Sequence, residues 1–161
     1  MILLIKKLRQ TLFYLTPALV AGFIYRLATG SIFHRRRFIN SRVSKGSYVD
    51  TTVQILGWEK VRVGEYSVIS EKCYFVSNFR DADIGEIRIG NNCHIGRNNF
   101  FSCGPEIILG DYVFTGGDCK LLGCGHNIES PLIPYIASGL DAGGKINIGA
   151  NCWLATGVVV L

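Results

Sequence analysis

The sequence predicts an all-β fold, a left-handed parallel β-helix wound from six-residue turns. Three observations carry that reading. Side chains suited to an interior recur at one phase of six in four groups: Val63, Ile69, Phe75; Ile89, Ile95, Phe101; Leu109, Thr115, Leu121; and Ile148, Leu154, Val160. A glycine follows the first member of every group, at Gly64, Gly90, Gly110 and Gly149. An aliphatic residue stands two before each first member, at Val61, Ile87, Ile107 and Ile146, as a strand with one buried face requires.

Six is a multiple of two, so each segment satisfies strand alternation, but a flat sandwich gives no reason for glycine to recur at one hexad phase. A helical period of 3.6 would not persist through groups so rich in valine, isoleucine and glycine. A solenoid accounts for both facts: each short strand forms one side of a triangular coil, and three hexads complete a turn. A smaller residue four positions after each leading side chain fills the next inward place, in Ser67, Cys73, Cys93, Asn99, Val113, Cys119, Cys152 and Val158. Glycine and asparagine are expected to relieve the corners, where backbone dihedrals are demanding.

Intervals between first members locate departures from the regular coil. Ile89 to Leu109 is twenty residues, two more than three hexads, which puts a small excursion near Cys103, Gly104 and Pro105. Val63 to Ile89 is twenty-six, with eight extra residues around 78–85. Leu109 to Ile148 is thirty-nine, leaving twenty-one for a long loop at 122–145, a length that is uncommon without a function. Upstream, Val43, Val49, Ile55 and Val61 keep the period without the glycines, so residues 40–60 read as a weaker first coil. Leu161 falls inside a hexad run and leaves strand edges uncovered, so the domain at 40–161 is read as shortened at its C-terminus.

Composition fits a repetitive fold with tight corners: the 161 residues include 19 glycines and four prolines, and 48% are apolar. That length suits one domain with a substantial core. Charge is concentrated at one end. No acidic residue precedes Asp50 while nine basic ones do; from Asp50 on, eight basic and twelve acidic residues leave a negative balance. Residues 1–39 are therefore read as an apolar, basic helical arm. Sixteen uncharged residues lie between Arg9 and Arg26, fewer than the roughly 20 of a membrane span. Pro17 would kink a single helix, and no small-residue cleavage pattern marks a secretion signal. With Arg35, Arg36 and Arg37 nearby, the arm fits peripheral contact with an anionic bilayer and implies a cytoplasmic protein associated with the inner face of the membrane. Packing across the open end of the coil is the other role its sequence suits. Basic and aromatic residues do not interleave as in a nucleic-acid module, so no nucleic acid partner is expected.

Six cysteines could form a disulfide framework in a secreted chain. Cys73, Cys93, Cys119 and Cys152 share one inward phase, however, and read as small wall-fillers in a reducing compartment. Paired CxxC ligands are absent, and no metal is expected. A thiol or metal role for Cys119 and Cys124 near His126 is the minor alternative.

The segments IGNNCHIG at 89–96, LGDYVFTGG at 109–117 and IGANCWLATG at 148–157 resemble the hexapeptide-repeat acyltransferases. The resemblance is closest to the sugar O-acetyltransferases, including the galactoside and maltose acetyltransferases, and covers residues 43–161. It implies a homotrimer with active sites between subunits, acetyl-CoA as donor, a saccharide acceptor and no metal. His126, in GCGHNI at the mouth of the long loop, matches the family's catalytic histidine. Trp153 matches the tryptophan that packs along the pantetheine arm of CoA, and Thr156 with Gly157 lies where the family approaches the thioester. Ser102 stands where the related enzymes carry an asparagine beside the acceptor, and Asn99 is the nearby amide that could replace it. The family's last coil, which holds the adenine and phosphates of CoA, has no counterpart in this sequence.

Of the three histidines, His34 sits among arginines and reads as a surface residue. His94 adjoins the inward Cys93 and should face outward, for trimer contact or sugar binding. His126 follows Gly125 at the loop mouth and has the chemistry of a general base near neutral pH. It would take the proton of an attacking hydroxyl and return it to the CoA thiolate, with Asp111, Asp118 or Glu129 to orient it. Backbone N–H groups near Gly125, Gly143 or Gly144 would stabilise the oxyanion. The expected activity is thus O-acetylation of a saccharide, such as a cell-surface polysaccharide or glycolipid precursor. The alternatives are a serine O-acetyltransferase, an N-acyltransferase of nucleotide-linked amino sugars, a zinc carbonic anhydrase on the same prism, and a non-catalytic assembly module. The carbonic anhydrase would need a third histidine in the repeat region, which holds only His94 and His126.

Overall fold

The computed structural model describes residues 42–77, 85–141 and 143–161. The arm expected at 1–39 and most of the excursion expected at 78–85 lie outside the described residues.

The chain winds as a left-handed parallel β-helix. A bridge from Val43 to Val63 opens the first coil, followed by β1 (Tyr48–Val49) and β2 (Gln54–Leu56). The second coil holds β3 (Val61–Val63), β4 (Val68–Ile69) and β5 (Tyr74–Val76); the third holds β6 (Glu86–Ile89), β7 (His94–Ile95) and β8 (Phe100–Ser102). The fourth holds β9 (Glu106–Leu109), β10 (Phe114–Thr115) and β11 (Lys120–Leu122). A small antiparallel hairpin, β12 (Gly125–His126) with β13 (Leu140–Asp141), then leaves the coil. The fifth coil closes the described chain with β14 (Ile146–Ile148), β15 (Trp153–Leu154) and β16 (Val159–Val160). Equivalent strands pair in parallel and make three faces of a prism: β3, β6, β9 and β14 on the first, β1, β4, β7, β10 and β15 on the second, and β2, β5, β8, β11 and β16 on the third.

Register follows the hexads. Val63, Ile89, Leu109 and Ile148 stack on one another, as do Ile69, Ile95, Thr115 and Leu154, and Phe75, Phe101, Leu121 and Val160. In the three middle coils these side chains are buried. Phe75 lies flat on Phe101, with ring centroids 4.5 Å apart and planes within 8°. Thr115 keeps its place in the aliphatic column because its Oγ1 accepts the Gly96 N–H at 3.1 Å. Val61 belongs to a different column from Val43, Val49 and Ile55: it pairs with Ile87, two positions before the leader Val63. A 3-10 turn at Trp58–Lys60 adds the two residues that restore the phase.

The second inward phase does more than fill space. Where it carries a polar or thiol side chain, unlike at Val113, that group donates to a corner carbonyl of the next coil: Ser67 Oγ to Gly90 at 2.8 Å, Cys73 Sγ to Gly96 at 3.1 Å and Cys93 Sγ to Gly110 at 3.1 Å. Asn99 Nδ2 reaches Gly116 at 2.9 Å, and Cys119 Sγ reaches Ala155 at 3.2 Å. A corner carbonyl turned into the prism has no ladder partner, so a short donor at this phase satisfies it. Cys152 keeps the register of Val113 and Cys93 in the last described coil and is exposed there.

Corner glycines serve two purposes. The left-handed conformation falls on the third corner residue: glycine meets it as expected at Gly46 and Gly157, while Tyr66, Lys72, Asn92, Asn98, Tyr112, Asp118 and Asn151 take it elsewhere, with φ from 53 to 61°. Asparagine suits that position; the tyrosines and Lys72 hold it at a cost. Gly64 and Gly90 are required by close approach: a Cβ on Gly64 would stand 2.5 Å from the Gly90 oxygen, and one on Gly90 2.6 Å from the carbonyl carbon of Gly110.

Every irregular connection leaves from one corner. The corners from first to second face and from second to third are four residues long in each coil. Between third and first faces lie 57–60, 77–85, 103–105 and 123–145.

Candidate active site

The outward side chains of the three faces differ in kind. On the first face Arg62 Nε meets Glu86 Oε1 at 2.8 Å, Arg88 pairs with Glu106, and Lys145 Nζ lies 3.6 Å from Glu106 Oε2. The hydrogen bond from Arg88 holds the Glu106 carboxyl below its usual range. The third face carries Tyr74 stacked on Phe100 at 5.6 Å. The second face presents one uncharged column, Tyr48, Val68, His94, Phe114 and Trp153, each over the next in parallel register or continued from β1.

His126 stands at the corner between the third and first faces. Its strand pairs with Leu140–Asp141, and the Asn127 N–H reaches the Gly139 oxygen at 3.2 Å, so the hairpin holds the imidazole exposed at the loop mouth. Gly143, with φ 56°, closes the base of the hairpin against the Gly123 carbonyl, where a Cβ could not fit. Ser102 ends β8 beside this mouth, half-buried, with Oγ 3.2 Å from Cys124 Sγ. Cys124 adjoins Gly125 and was not among the residues singled out for acceptor contact; its place before GH in the sequence was the available signal. The hairpin tip carries Leu132, 90% exposed, with Ile128, Tyr135 and Ile136 also exposed.

Trp153 lies on the second face, the side of the prism opposite the His126 corner, and is 73% exposed. His94 shares that face and points outward, its ring 5.1 Å from Phe114 and tilted by 41°. Thr156 and Gly157 follow at the next corner, exposed, with Gly157 at φ 77°. The residues singled out from sequence thus form two groups in one chain, His126 with Ser102 and Trp153 with His94, Thr156 and Gly157.

Asn99 belongs to neither. It is 1% exposed and turned into the prism, where Nδ2 donates to the carbonyls of Gly96 and Gly116, so an acceptor on the surface cannot reach its amide. Its place at the small inward phase dictates this. Two of the expected orienting carboxylates are also engaged elsewhere: Asp111 Oδ1 accepts the Asn91 N–H at 2.7 Å at the first-to-second corner, and Asp118 bonds the Asn98 amide. At Glu129 the backbone N–H donates to Asn127 Oδ1 at 2.9 Å, a bond that does not use its carboxylate. The Gly143 N–H donates to Asp141 Oδ1 at 3.1 Å, and Gly125 faces Asp141 in the hydrogen-bonded register of the β12–β13 hairpin, which leaves Gly144 of the three proposed oxyanion donors. Among the described residues no group of three or more His, Cys, Asp or Glu is placed to hold a metal ion. None of the described helices is long and apolar enough to cross a membrane.

Neither a protein-family model nor a curated protein matches the sequence. Solved structures of AntD, an N-acyltransferase from Bacillus cereus, share the fold. A variant complexed with dTDP and coenzyme A is 16% identical with a TM-score of 0.53, and the match covers 73% of this chain and 65% of that one. A second variant, with dTDP-4-amino-4,6-dideoxyglucose and coenzyme A, gives the same 16% and 0.53 over 73% and 65%. The complex with dTDP and 3-hydroxybutyryl-CoA is 13% identical with a TM-score of 0.51, over 78% and 70%. The chain therefore spans 65% of the length of the first of these neighbours.

Proposed function

We propose that the protein is an acyl-CoA-dependent acyltransferase that forms a trimer and moves an acetyl group to a hydroxyl of a saccharide. The observation that carries this reading is the opposition of His126 and Trp153. One chain holds a base at a corner and an exposed aromatic column on the face across from it. A head-to-tail ring sets the corner of each subunit against the second face of the next, and a trimer is the ring we propose. The AntD complexes with a dTDP-linked amino sugar and coenzyme A, and with 3-hydroxybutyryl-CoA, on the same fold, are consistent with that chemistry.

In this reading His126 takes the proton of the acceptor hydroxyl as its oxygen attacks the thioester carbonyl. A C–O bond forms, the C–S bond breaks, and the proton passes to the departing thiolate. The exposed Trp153 ring suits the pantetheine arm; among the described residues the outward column of the second face offers no lysine or arginine for the phosphates. The backbone N–H of Gly144 remains as an oxyanion donor. Transfer to an amine is the second reading, since the neighbouring structures are of an N-acyltransferase.

His126→Ala tests the assignment: acetyl transfer should fall by about 10²–10⁴-fold, with folding retained because the side chain is exposed. Full activity in that variant would defeat His126 as the base. Transfer to an amino sugar in preference to every hydroxyl acceptor would establish the second reading. The basic, apolar arm supports docking on the cytoplasmic face of a membrane; deleting residues 1–30 should abolish sedimentation with anionic liposomes, and unchanged sedimentation would remove that role.

A further inference from the structure

We infer that Phe114 and His94 form the acceptor subsite, a platform on which a neutral pyranose ring lies against the second face; this rests on the transferase reading above. Phe114 sits directly under Trp153, and His94 directly under Phe114, in the parallel register of β15, β10 and β7. Successive rungs of a sheet are about 4.8 Å apart, so the three rings line roughly 10 Å of continuous wall. The height of the reacting atoms is set by His126, which leaves the prism after β11 in the fourth coil. Phe114 belongs to that same coil. With the donor arm on Trp153 in the fifth coil, the molecule that meets its end stands over Phe114 and His94.

The chemistry of that wall selects its ligand. Phe114 is 44% exposed and shows an aromatic surface to solvent, which suits the C–H face of a sugar ring. His94, tilted 41° from it, offers ring nitrogens that can both donate to and accept from hydroxyl groups. The outward column contains no Asp, Glu, Lys or Arg from Tyr48 to Trp153, so it offers no carboxylate to the ammonium of an amino acid acceptor. Val68 below His94 is the smallest member of the column and leaves room for a second sugar unit.

The test uses the full chain with acetyl-CoA, a panel of methyl pyranosides and L-serine, measuring thiol release. Phe114→Leu keeps apolar bulk and loses the ring, and the pyranoside KM should rise about 10-fold, the loss of one stacking contact. Phe114→Trp should keep a low KM, and His94→Ala should raise it, while the KM for acetyl-CoA stays parental in all three. Unchanged pyranoside KM in Phe114→Leu and His94→Ala, or a parent that prefers L-serine, overturns the subsite and leaves the transferase reading standing. A parent inactive on every acceptor defeats the transferase reading; saturation transfer from protein aromatic protons to methyl pyranoside then reads the platform without turnover. That transfer should be present in the parent and lost in Phe114→Leu, and its absence from the parent overturns the subsite.

Discussion

His126 and Trp153 stand on opposite sides of the prism, the histidine at the corner between third and first faces and the tryptophan on the second. The proposed site, which needs both side chains, would therefore be assembled from two chains.

Mixing two defective chains tests that arrangement. His126→Ala and Trp153→Ala are each expected to be nearly inactive alone. Refolded together in equal amounts, they should regain about one quarter of the parental activity, because about one site in four pairs an intact histidine with an intact tryptophan in a randomly mixed ring. Mixtures as inactive as their components would mean that each site lies within a single chain.

Asn99 offers a test inside the wall. Its Oδ1 is buried with no partner among the described residues, while Cys73 and Cys119 serve the equivalent place in neighbouring hexads with a single donor. Asn99→Cys should match or exceed parental stability by denaturant titration. Asn99→Val, with no donor for the Gly116 carbonyl, should cost about 1–3 kcal/mol. Neither change should move the KM for a saccharide; a large KM effect in Asn99→Cys would return the residue to the acceptor site.

Buried thiols predict an alkaline weakness. Burial pushes Cys73 and Cys103 up to about 11 from an ordinary value of 9.0. The unfolded chain ionises these thiols first, so stability is intact below about pH 9 and declines as the pH rises toward 11. The midpoint of urea unfolding should fall across that window, and Cys73→Ser should shallow the slope. A thiol reagent at pH 8 should label the exposed Cys152 first and leave Cys73 and Cys103 unmodified until unfolding.

The period of six was legible because each coil repeats the same burial demand: one large inward side chain, then one small one. It therefore located the columns of Val63, Ile69 and Phe75, the outward turn of His94 and the long excursion at 122–145. The corner chemistry was less legible. Glycine after a leader has the same signature whether it serves a left-handed dihedral or the passage of a carbonyl from the next coil, and only three-dimensional stacking separates the two at Gly64 and Gly90. Cysteine as an apolar filler and cysteine as a hydrogen-bond donor are likewise identical in sequence, as are an asparagine that meets solvent and one that meets Gly116. The split of the site residues into two groups was hidden for a different reason. Hexad phase tells inward from outward, and the identity of the face emerges only when the irregular connections are counted correctly, including the 3-10 turn at Trp58–Lys60.

Gathering every irregular connection at one corner makes the chain behave like a message with a reading frame and one resynchronisation point per turn. A residue inserted at 64–67 or 96–99 would exchange inside for outside in the next strand and every strand up to the following third-to-first corner. The same insertion at 103–105 or 123–145 is absorbed where it occurs. New loops can therefore be grafted onto one edge of this molecule, and a new specificity acquired there, without rewriting the columns that hold it upright.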